Sequence, residues 1–305
     1  MSERKPQASR RGQAGAVLPV RAGTPRLSPE SKMNMDSWIA PEWPAPANVR
    51  AVVTTRHGPG ASKPPFDAFN LGTRCGDDPA AVALNRRRLH EALQLPSGPH
   101  WLRQVHGTRV VDFPGEGEAR AGTGHHAKDS PEEPEADAAA TRAPGVVLAI
   151  LTADCVPVMF CASDGSEIAI AHAGWRGLCA GVLENTLAAM RAPRAEILAW
   201  LGPAIGRGSY EVGAEVRDAF LAKDRNAAEA FAPTRAGHWH CDLDALARQR
   251  LHGAGVKGIF GGGFDTFADP RLYSYRRDGA RSGRFASLIW LVGQDSTVRT
   301  ACTSR

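Results

Sequence analysis

The stretch from Leu151 to Gly177, LTADCVPVMFCASDGSEIAIAHAGWRG, decides the fold. It contains two apolar runs of strand length, VPVMFC and EIAIAH, separated by the polar segment ASDGS. Cys155 directly precedes the first run, and His172 closes the second. Because α/β sheets place binding and catalytic residues at strand ends, the stretch predicts two strands whose ends carry a site.

Strand and helix patterns alternate along the rest of the chain, which favours an α/β (α+β) fold. Further strands are expected in GVVLAIL, ILAWLG, VKGIFGG and RFASLIWLVG, and HWLRQVHGTRVVDF predicts two short strands around a turn at Gly107. Asp78 followed by Pro79 predicts the N-cap and first residue of a helix that runs to about Leu93. Additional helices are expected in RGLCAGVLENTLAAMRA and near residues 213–223 and 242–252.

The positive charge is concentrated at the N-terminus. The chain of 305 residues has a net charge of +5, and residues 1–32 hold seven Lys and Arg residues against two Glu residues, which accounts for the whole excess. We expect a disordered basic tail at 1–36, one catalytic domain at 37–295 and a C-terminal tail at 296–305. Residues 114–135, dense in Gly, Pro and Glu, predict a solvated loop. Because the remaining body is neutral, nucleic acid is not expected as a partner.

The composition of the sequence also indicates the cellular compartment of the protein. The longest apolar stretch, residues 145–160, is interrupted by Thr152, Asp154 and Pro157, so no transmembrane helix and no membrane partner are expected. The six cysteines form no C-x-x-C pair, and no apolar secretion signal is evident. These features predict reduced thiols and a cytoplasmic location.

Three candidate metal ligands stand out, namely His106 in QVHG, Cys155 in TADC and His172 in AHAGW. Each is expected at a strand end beside a glycine or a small residue. Two histidines and a cysteine suit a catalytic zinc site, which uses three protein ligands and keeps a fourth position open. The spacing matches no regular local zinc motif, so a metal site, a Cys/His nucleophilic pair and purely structural residues all remain open.

Several neighbours are candidates for substrate binding or catalysis, and each has a structural alternative as a surface or core residue. The candidates for binding phosphate or substrate are Arg176, Arg276, Arg277 and Gln104. Asp154 is a candidate catalytic group that either orients a ligand or moves a proton. Trp175 and Tyr210 are candidates for stacking on a purine.

Eight motifs, in order from about residue 49 to residue 293, together resemble the YfiH-like family. They are NLG, DDPAAVALNRRRL, QVHG, EADAAAT, TADCVPVMF, AHAGWRG, GPAIGRGSYEVG and YSYRRDGARSGRFASLIWL. Members of that family are variously named multicopper polyphenol oxidase or laccase-domain proteins, purine nucleoside phosphorylases and peptidoglycan editing factors. The chain departs from the pattern in GGFDTF, where Asp265 occupies the place of a cysteine that many relatives carry.

The resemblance implies a single-domain, mixed-sheet α/β/β/α sandwich and a metal held by His106, Cys155 and His172, with Zn²⁺ expected and Cu²⁺ as the alternative. It also implies phosphorolysis of adenosine, inosine, guanosine and S-methyl-5′-thioadenosine, together with adenosine deamination. The expected partners are therefore a small-molecule nucleoside and phosphate.

Two other functions remain open. One is a metal-free Cys/His hydrolase or peptidoglycan-precursor editing factor, with Cys155 as the nucleophile and His172 as the base. The other is a copper-dependent polyphenol oxidase (laccase). Multicopper oxidation needs several copper centres, whereas the sequence supplies ligands for one, so this alternative is disfavoured.

Overall fold

The computed structural model describes residues 37–115 and 133–293. The tails expected at 1–36 and 296–305, and most of the loop expected at 114–135, lie outside the described residues. Two β-sheets pack face to face, and helices cover the outer face of each. The α/β/β/α sandwich with mixed strand directions is thereby confirmed.

The smaller sheet has four antiparallel strands. They are β1 (Trp38–Ile39), β2 (Val49–Thr54), β5 (Val147–Thr152) and β13 (Phe285–Leu291). Their order across the sheet is β1-β2-β13-β5. The last strand of the described chain therefore lies between β2 and β5, and Phe285 pairs with Thr152 at one end of the sheet.

The larger sheet has six strands. They are β3 (Val110–Asp112), β4 (Ala138–Thr141), β6 (Val156–Ala162), β7 (Ile168–Ala173), β8 (Ile197–Leu201) and β12 (Gly258–Gly261). Their order is β12-β8-β6-β7-β4-β3, with the two outer pairs parallel and the inner pairs antiparallel. The two strands predicted from the opening stretch are β6 and β7, and every residue in them is buried because this sheet is covered on both faces.

Helices complete the layers on both sides. They are α1 (Pro79–Leu93), α2 (Trp175–Ala180), α3 (Val182–Ala189), α4 (Ala214–Leu221), α5 (Leu243–Gly253) and α6 (Tyr275–Asp278). Leu89 and Leu93 of α1 pack on the four-stranded sheet, whereas α2 to α5 pack on the six-stranded sheet. Asp78 caps α1 by accepting a hydrogen bond from the amide of Ala80, as its sequence predicts. Among the described residues, no helix combines the length and apolar content that a bilayer crossing requires.

Two local predictions were wrong, and one small sheet was not predicted. The first half of HWLRQVHGTRVVDF forms only isolated bridges, and β3 in its second half is the one strand there. The helix expected after residue 176 is interrupted by Gly181, whose φ of 105° divides it into α2 and α3. A three-stranded antiparallel sheet of β9 (Glu211–Gly213), β10 (Phe231–Pro233) and β11 (His238–Cys241) was not anticipated. Its strands are too short for a period-2 pattern to appear in the sequence.

Candidate active site

Three side chains converge at the ends of β6 and β7, the two central strands of the six-stranded sheet. The candidate ligand atoms of His106, Cys155 and His172 all lie within 4.8 Å of one another. The Sγ atom of Cys155 is 3.7 Å from Nε2 of His106. Pro157 of β6 pairs with His172 of β7. Cys155 lies two residues before Pro157, so it is at the same end of these strands as His172. The structure thus brings the three residues together.

His106 does not end a strand, which corrects the expectation from its sequence. It lies in a loop with a φ of 61°, a left-handed conformation that is uncommon for a residue other than glycine. The carboxylate of Asp137 holds this loop by accepting hydrogen bonds from the amides of Val105, His106 and Gly107 at 3.2, 2.9 and 2.7 Å. A buried carboxylate, rather than a strand, therefore presents His106.

The same carboxylate orients His172. Nδ1 of His172 lies 2.8 Å from Oδ1 of Asp137, and an ionised carboxylate can only accept, so Nδ1 carries the proton and Nε2 is left for a ligand. Asp137 is fully buried at the start of β4. Sequence reasoning missed it, since its signal was a lone acidic residue before the apolar run AAAT. Asp137 is the group that fixes both histidines.

The electrostatics favour a thiolate beside an imidazolium. Burial would raise the pKa of the Cys155 thiol, but the charge of His172 and hydrogen bonds to both histidines lower it to about 6. Burial would lower the pKa of His172, but the Cys155 thiolate and Asp137 raise it to about 9. Burial likewise opposes ionisation of Asp137, yet His172 and the amides of the loop hold the pKa of its carboxyl below the ordinary value.

These residues fit a zinc ion. A thiolate and two imidazoles are a donor set found in catalytic zinc sites. In such sites the second nitrogen of a ligating histidine usually donates a hydrogen bond to a carboxylate or another acceptor, as His172 does to Asp137. Space beside the ligands is kept by Gly174, where a Cβ atom would lie 2.6 Å from Cδ2 of His106 and 2.9 Å from Sγ of Cys155. Within residues 37–115 and 133–293, this is the one group of three or more His, Cys, Asp and Glu side chains arranged to hold a metal.

The three residues line a cleft of about 610 Å³. Trp175 and Arg176 of α2, Tyr210 before β9 and Arg276 of α6 line it. Arg74 and Cys75 from the loop before α1, Thr152 at the end of β5 and Arg284 directly before β13 line it as well. The cleft is therefore rich in arginine and aromatic side chains.

Arg176 and Arg276, two of the predicted phosphate ligands, face this cleft in similar settings. The guanidinium of Arg176 lies 4.5 Å from the ring centroid of Trp175, and that of Arg276 lies 5.0 Å from that of Tyr210. Stacking on an aromatic face restrains a guanidinium while leaving its N–H edge available. Among the described side chains, no carboxylate pairs with either arginine. Nη1 of Arg276 donates to the carbonyl of Glu211 at 2.9 Å, and the other N–H groups of the two guanidiniums are available to donate to an anion.

The side chains of three other candidate residues are already hydrogen-bonded to other groups of the protein. Arg277 does not line the cleft, because its guanidinium donates to the carbonyls of neighbouring loop residues and to the carboxylate of Asp278. Gln104 lines the cleft, yet its side-chain amide is bonded to both the N–H and the C=O of Leu151. Asp154, at a φ of 93°, accepts 2.6 Å hydrogen bonds from the Thr266 hydroxyl and from the Arg276 amide, one on each oxygen. These side chains position loops around the cleft.

Asp265, where the resemblance implies a cysteine, also has a defined structural role. Its carboxylate accepts hydrogen bonds from the amide of Gly206 at 3.0 Å and from the hydroxyl of Ser209 at 2.6 Å. It therefore holds the loop that leads into Tyr210. Asp265 does not line the cleft.

Comparisons with known proteins place the chain in a family. The family described as multi-copper polyphenol oxidoreductase laccase matches residues 50–292. A purine nucleoside phosphorylase of Pseudomonas aeruginosa is 51% identical over 259 residues, which cover 84% of this chain and 99% of that protein. Purine nucleoside phosphorylase YfiH of Escherichia coli K12 is 48% identical over 259 residues, covering 85% and 100%.

A solved structure agrees with these matches. The crystal structure of a Neisseria meningitidis protein has a TM-score of 0.76 and 44% sequence identity, and the match covers 84% of this chain and 100% of that one. The shared fold and the sequence matches extend over nearly all of the described residues. The chain belongs to the YfiH-like family, described as the multi-copper polyphenol oxidoreductase laccases.

Proposed function

We propose that this protein is a zinc-dependent purine nucleoside phosphorylase that acts on adenosine, inosine, guanosine and S-methyl-5′-thioadenosine, with adenosine deamination as a side activity. The observation that carries the proposal is the convergence of His106, Cys155 and His172 in a cleft that also presents Arg176 and Arg276. The names of the relatives from Pseudomonas aeruginosa and Escherichia coli support the substrate class.

In phosphorolysis, an oxygen of inorganic phosphate forms a bond to C1′ of the ribose while the bond from C1′ to the purine nitrogen breaks. The electron pair of the broken bond stays on the purine, which then takes up a proton, and the other product is ribose 1-phosphate. Arg176 and Arg276 would hold the phosphate, because each presents a restrained guanidinium without a carboxylate partner. Asp154 fixes the backbone of Arg276 and thereby the position of that cation.

The cleft also has room and surface for the nucleoside. Small-molecule sites have volumes of roughly 300–1,000 Å³, and this cleft, at about 610 Å³, falls within that range. Trp175 and Tyr210 line the cleft beside the two arginines and would contact the purine there. Zinc bound by the three ligands would supply a Lewis acid for an oxyanion or for the water used in deamination.

Product analysis tests the reaction. Adenosine is incubated with the purified protein with and without phosphate, and zinc is measured by elemental analysis. We expect adenine and ribose 1-phosphate only when phosphate is present, and about one zinc per chain. Cys155→Ala is expected to lose both metal and activity while staying folded. Cys179→Ala, which removes a buried thiol of α2, is the matched control and keeps both. Free ribose formed equally in both tubes would refute phosphorolysis.

A metal-free hydrolase is the second candidate, including a role in editing peptidoglycan precursors. The observation that favours it is the place of Cys155 beside a histidine held by Asp137, which lowers the pKa of the thiol to about 6. Cys155, His172 and Asp137 would then act as the nucleophile, the base and the carboxylate that orients the base, as in a catalytic triad. Metal content separates the two candidates, because a thiolate bound to zinc is a poor nucleophile. Fully active protein without zinc would favour the hydrolase.

A further inference from the structure

Thr266 is a buried residue, bonded to Asp154 of the cleft, that the proposed reaction does not use. It lies between β12 and α6, is fully buried and does not line the cleft. Its hydroxyl donates to Oδ1 of Asp154 at 2.6 Å, and its amide donates to the carbonyl of Ala204 at 3.0 Å. Its carbonyl accepts from Nη1 of Arg277 at 3.0 Å. All three polar groups of Thr266 are therefore bonded, and its hydroxyl is held in a fixed place.

The carboxylate of Asp154 links this hydroxyl to a cation of the cleft. Its second oxygen, Oδ2, accepts a hydrogen bond from the amide of Arg276, also at 2.6 Å. The two carboxylate oxygens belong to one rigid plane, so a carboxylate that turns away from the Thr266 hydroxyl also moves Oδ2 away from the Arg276 amide. The hydroxyl thereby selects the orientation in which Asp154 holds Arg276.

The position of Arg276 depends on this carboxylate. Arg276 is the second residue of α6, a helix of four residues, and a single helical turn has little stability of its own. The guanidinium is restrained by the carbonyl of Glu211 at 2.9 Å and by the ring of Tyr210 at 5.0 Å. Both contacts act on the far end of a long side chain, whereas Asp154 fixes the backbone from which that side chain extends.

Cys155, the neighbour of Asp154 in the chain, is held in a different way. The carbonyl of Asp154 accepts from the amide of Ile205 at 2.9 Å, and the residue after Cys155 begins β6 in the six-stranded sheet. These backbone contacts lie on both sides of Cys155 and do not involve the carboxylate of Asp154. Loss of the Thr266 hydroxyl should therefore displace Arg276 and leave the proposed metal ligand in place.

We infer that Thr266 is a positioning residue for inorganic phosphate, which acts through the carboxylate of Asp154 to set the place of Arg276. The inference rests on the proposed function, in which Arg276 binds phosphate. It deepens that function by naming a residue outside the cleft that controls phosphate affinity separately from metal affinity.

Equilibrium binding of inorganic phosphate to the full-length protein tests this role by titration calorimetry. Thr266→Val removes the hydroxyl, keeps the shape of the side chain and leaves no space for a water molecule, so phosphate affinity should fall by about fivefold. Thr266→Ser returns the hydroxyl and should recover most of the affinity. Zinc affinity, measured by competition with a chromogenic chelator, should change by less than about twofold in both variants.

A double variant shows whether Thr266 acts through Arg276. Arg276→Gln should weaken phosphate binding by itself, and adding Thr266→Val should cause no further loss, because changes that act through one group are not additive. Thr186→Val is the matched control. It makes the same exchange at a buried threonine of α3, whose hydroxyl donates to the carbonyl of Val182, and should leave phosphate affinity unchanged. Thermal midpoints identify a variant that fails to fold, and Thr266→Ala carries the test if Thr266→Val does so.

Three results would overturn the role of Thr266. The first is unchanged phosphate affinity in Thr266→Val. The second is a further loss in the double variant as large as the loss that Thr266→Val causes alone. The third is a parallel loss of zinc affinity in Thr266→Val, which would show a general disturbance of the cleft.

Turnover measured in parallel separates this inference from the proposed function. Phosphate-dependent cleavage of adenosine, with the same KM for phosphate in Thr266→Val and in the unaltered protein, overturns the positioning role alone. Phosphate binding that depends on both Thr266 and Arg276, without phosphate-dependent cleavage, supports the positioning role while overturning the proposed reaction.

Discussion

The carboxylate of Asp137 joins the two histidines of the cleft, because it accepts a hydrogen bond from Nδ1 of His172 at 2.8 Å and also holds the loop that presents His106. One buried charge thus sets the tautomer of one imidazole and the backbone position of the other. The site depends on this carboxylate as much as on the three proposed ligands.

The first prediction concerns Asp137→Asn. The new amide keeps the size of the side chain, but its NH₂ group cannot accept the hydrogen bonds that one carboxylate oxygen now receives. Loss of a carboxylate behind a ligating histidine weakens metal binding by roughly 10–100-fold, and we expect a loss of that size for zinc. Competition with a chromogenic chelator measures it. Asp112→Asn, at the exposed end of β3, is the control and should bind zinc normally. Unchanged affinity in Asp137→Asn would contradict the role assigned to Asp137.

The second prediction concerns the pH dependence of Cys155 in protein stripped of metal. Its thiol pKa is lowered to about 6, so the reactive thiolate predominates at neutral pH and is lost as the pH falls through about 6. An ordinary thiol would lose its thiolate near pH 8.5, roughly 2.5 units higher. The rate of alkylation by iodoacetamide, followed by mass spectrometry of the peptide with Cys155, should therefore have its midpoint near 6.

Two comparisons complete that experiment. Cys155→Ala identifies any signal from other thiols, and burial raises the pKa of Cys161 to about 12, which keeps that thiol unreactive. Added zinc should slow alkylation of Cys155, because a coordinated thiolate is a poor nucleophile. A midpoint near 8.5 would show that His172 does not stabilise the thiolate.

The sequence predicted those parts of the site that depend on local pattern. Cys155 and His172 flank apolar runs of strand length, so their place at strand ends could be derived from VPVMFC and EIAIAH alone. The hydrogen bonds that hold the loop of His106 could not be derived in this way. They come from Asp137, which is 31 residues away in the chain. Such a contact exists only after β3 has paired with β4.

The two adjacent arginines of SYRRDG show a further limit. They have the same chemistry and neighbouring positions, yet Arg276 lines the cleft and Arg277 is bonded to loop carbonyls. The four-residue helix α6 decides which side each one faces, and a helix of one turn has no periodic pattern to predict.

The third prediction concerns Arg176→Lys. Lysine keeps the positive charge but lacks the planar fork that binds two phosphate oxygens and stacks on Trp175. We expect the KM for inorganic phosphate to rise by about tenfold, while the KM for adenosine changes by less than about threefold. Steady-state kinetics with each substrate varied in turn measure both values. Arg191→Lys, on the surface after α3, serves as the control. Equal increases for phosphate and nucleoside would argue against a phosphate-specific role.

The last prediction concerns Gly174→Ala. The φ of Gly174 is −67°, which alanine adopts without strain, so only the space around the new Cβ atom matters. That atom would lie 2.6 Å from the ring of His106 and 2.9 Å from the sulfur of Cys155, and both side chains would have to move. Overpacking of this kind costs about 1–3 kcal/mol, and the displaced ligands should lower zinc affinity by at least about tenfold.

Gly208→Ala is the matched control for that prediction. No atom lies within 4 Å of a Cβ built at Gly208, so the exchange adds the same methyl group without a contact. Chelator competition and thermal unfolding are measured for both variants, with and without zinc. Because the contacts of Gly174 are with two proposed ligands, its alanine variant should gain less thermal stability from added zinc than either the control or the unaltered protein. Equal stabilisation by zinc in all three proteins would place the bound metal away from His106 and Cys155.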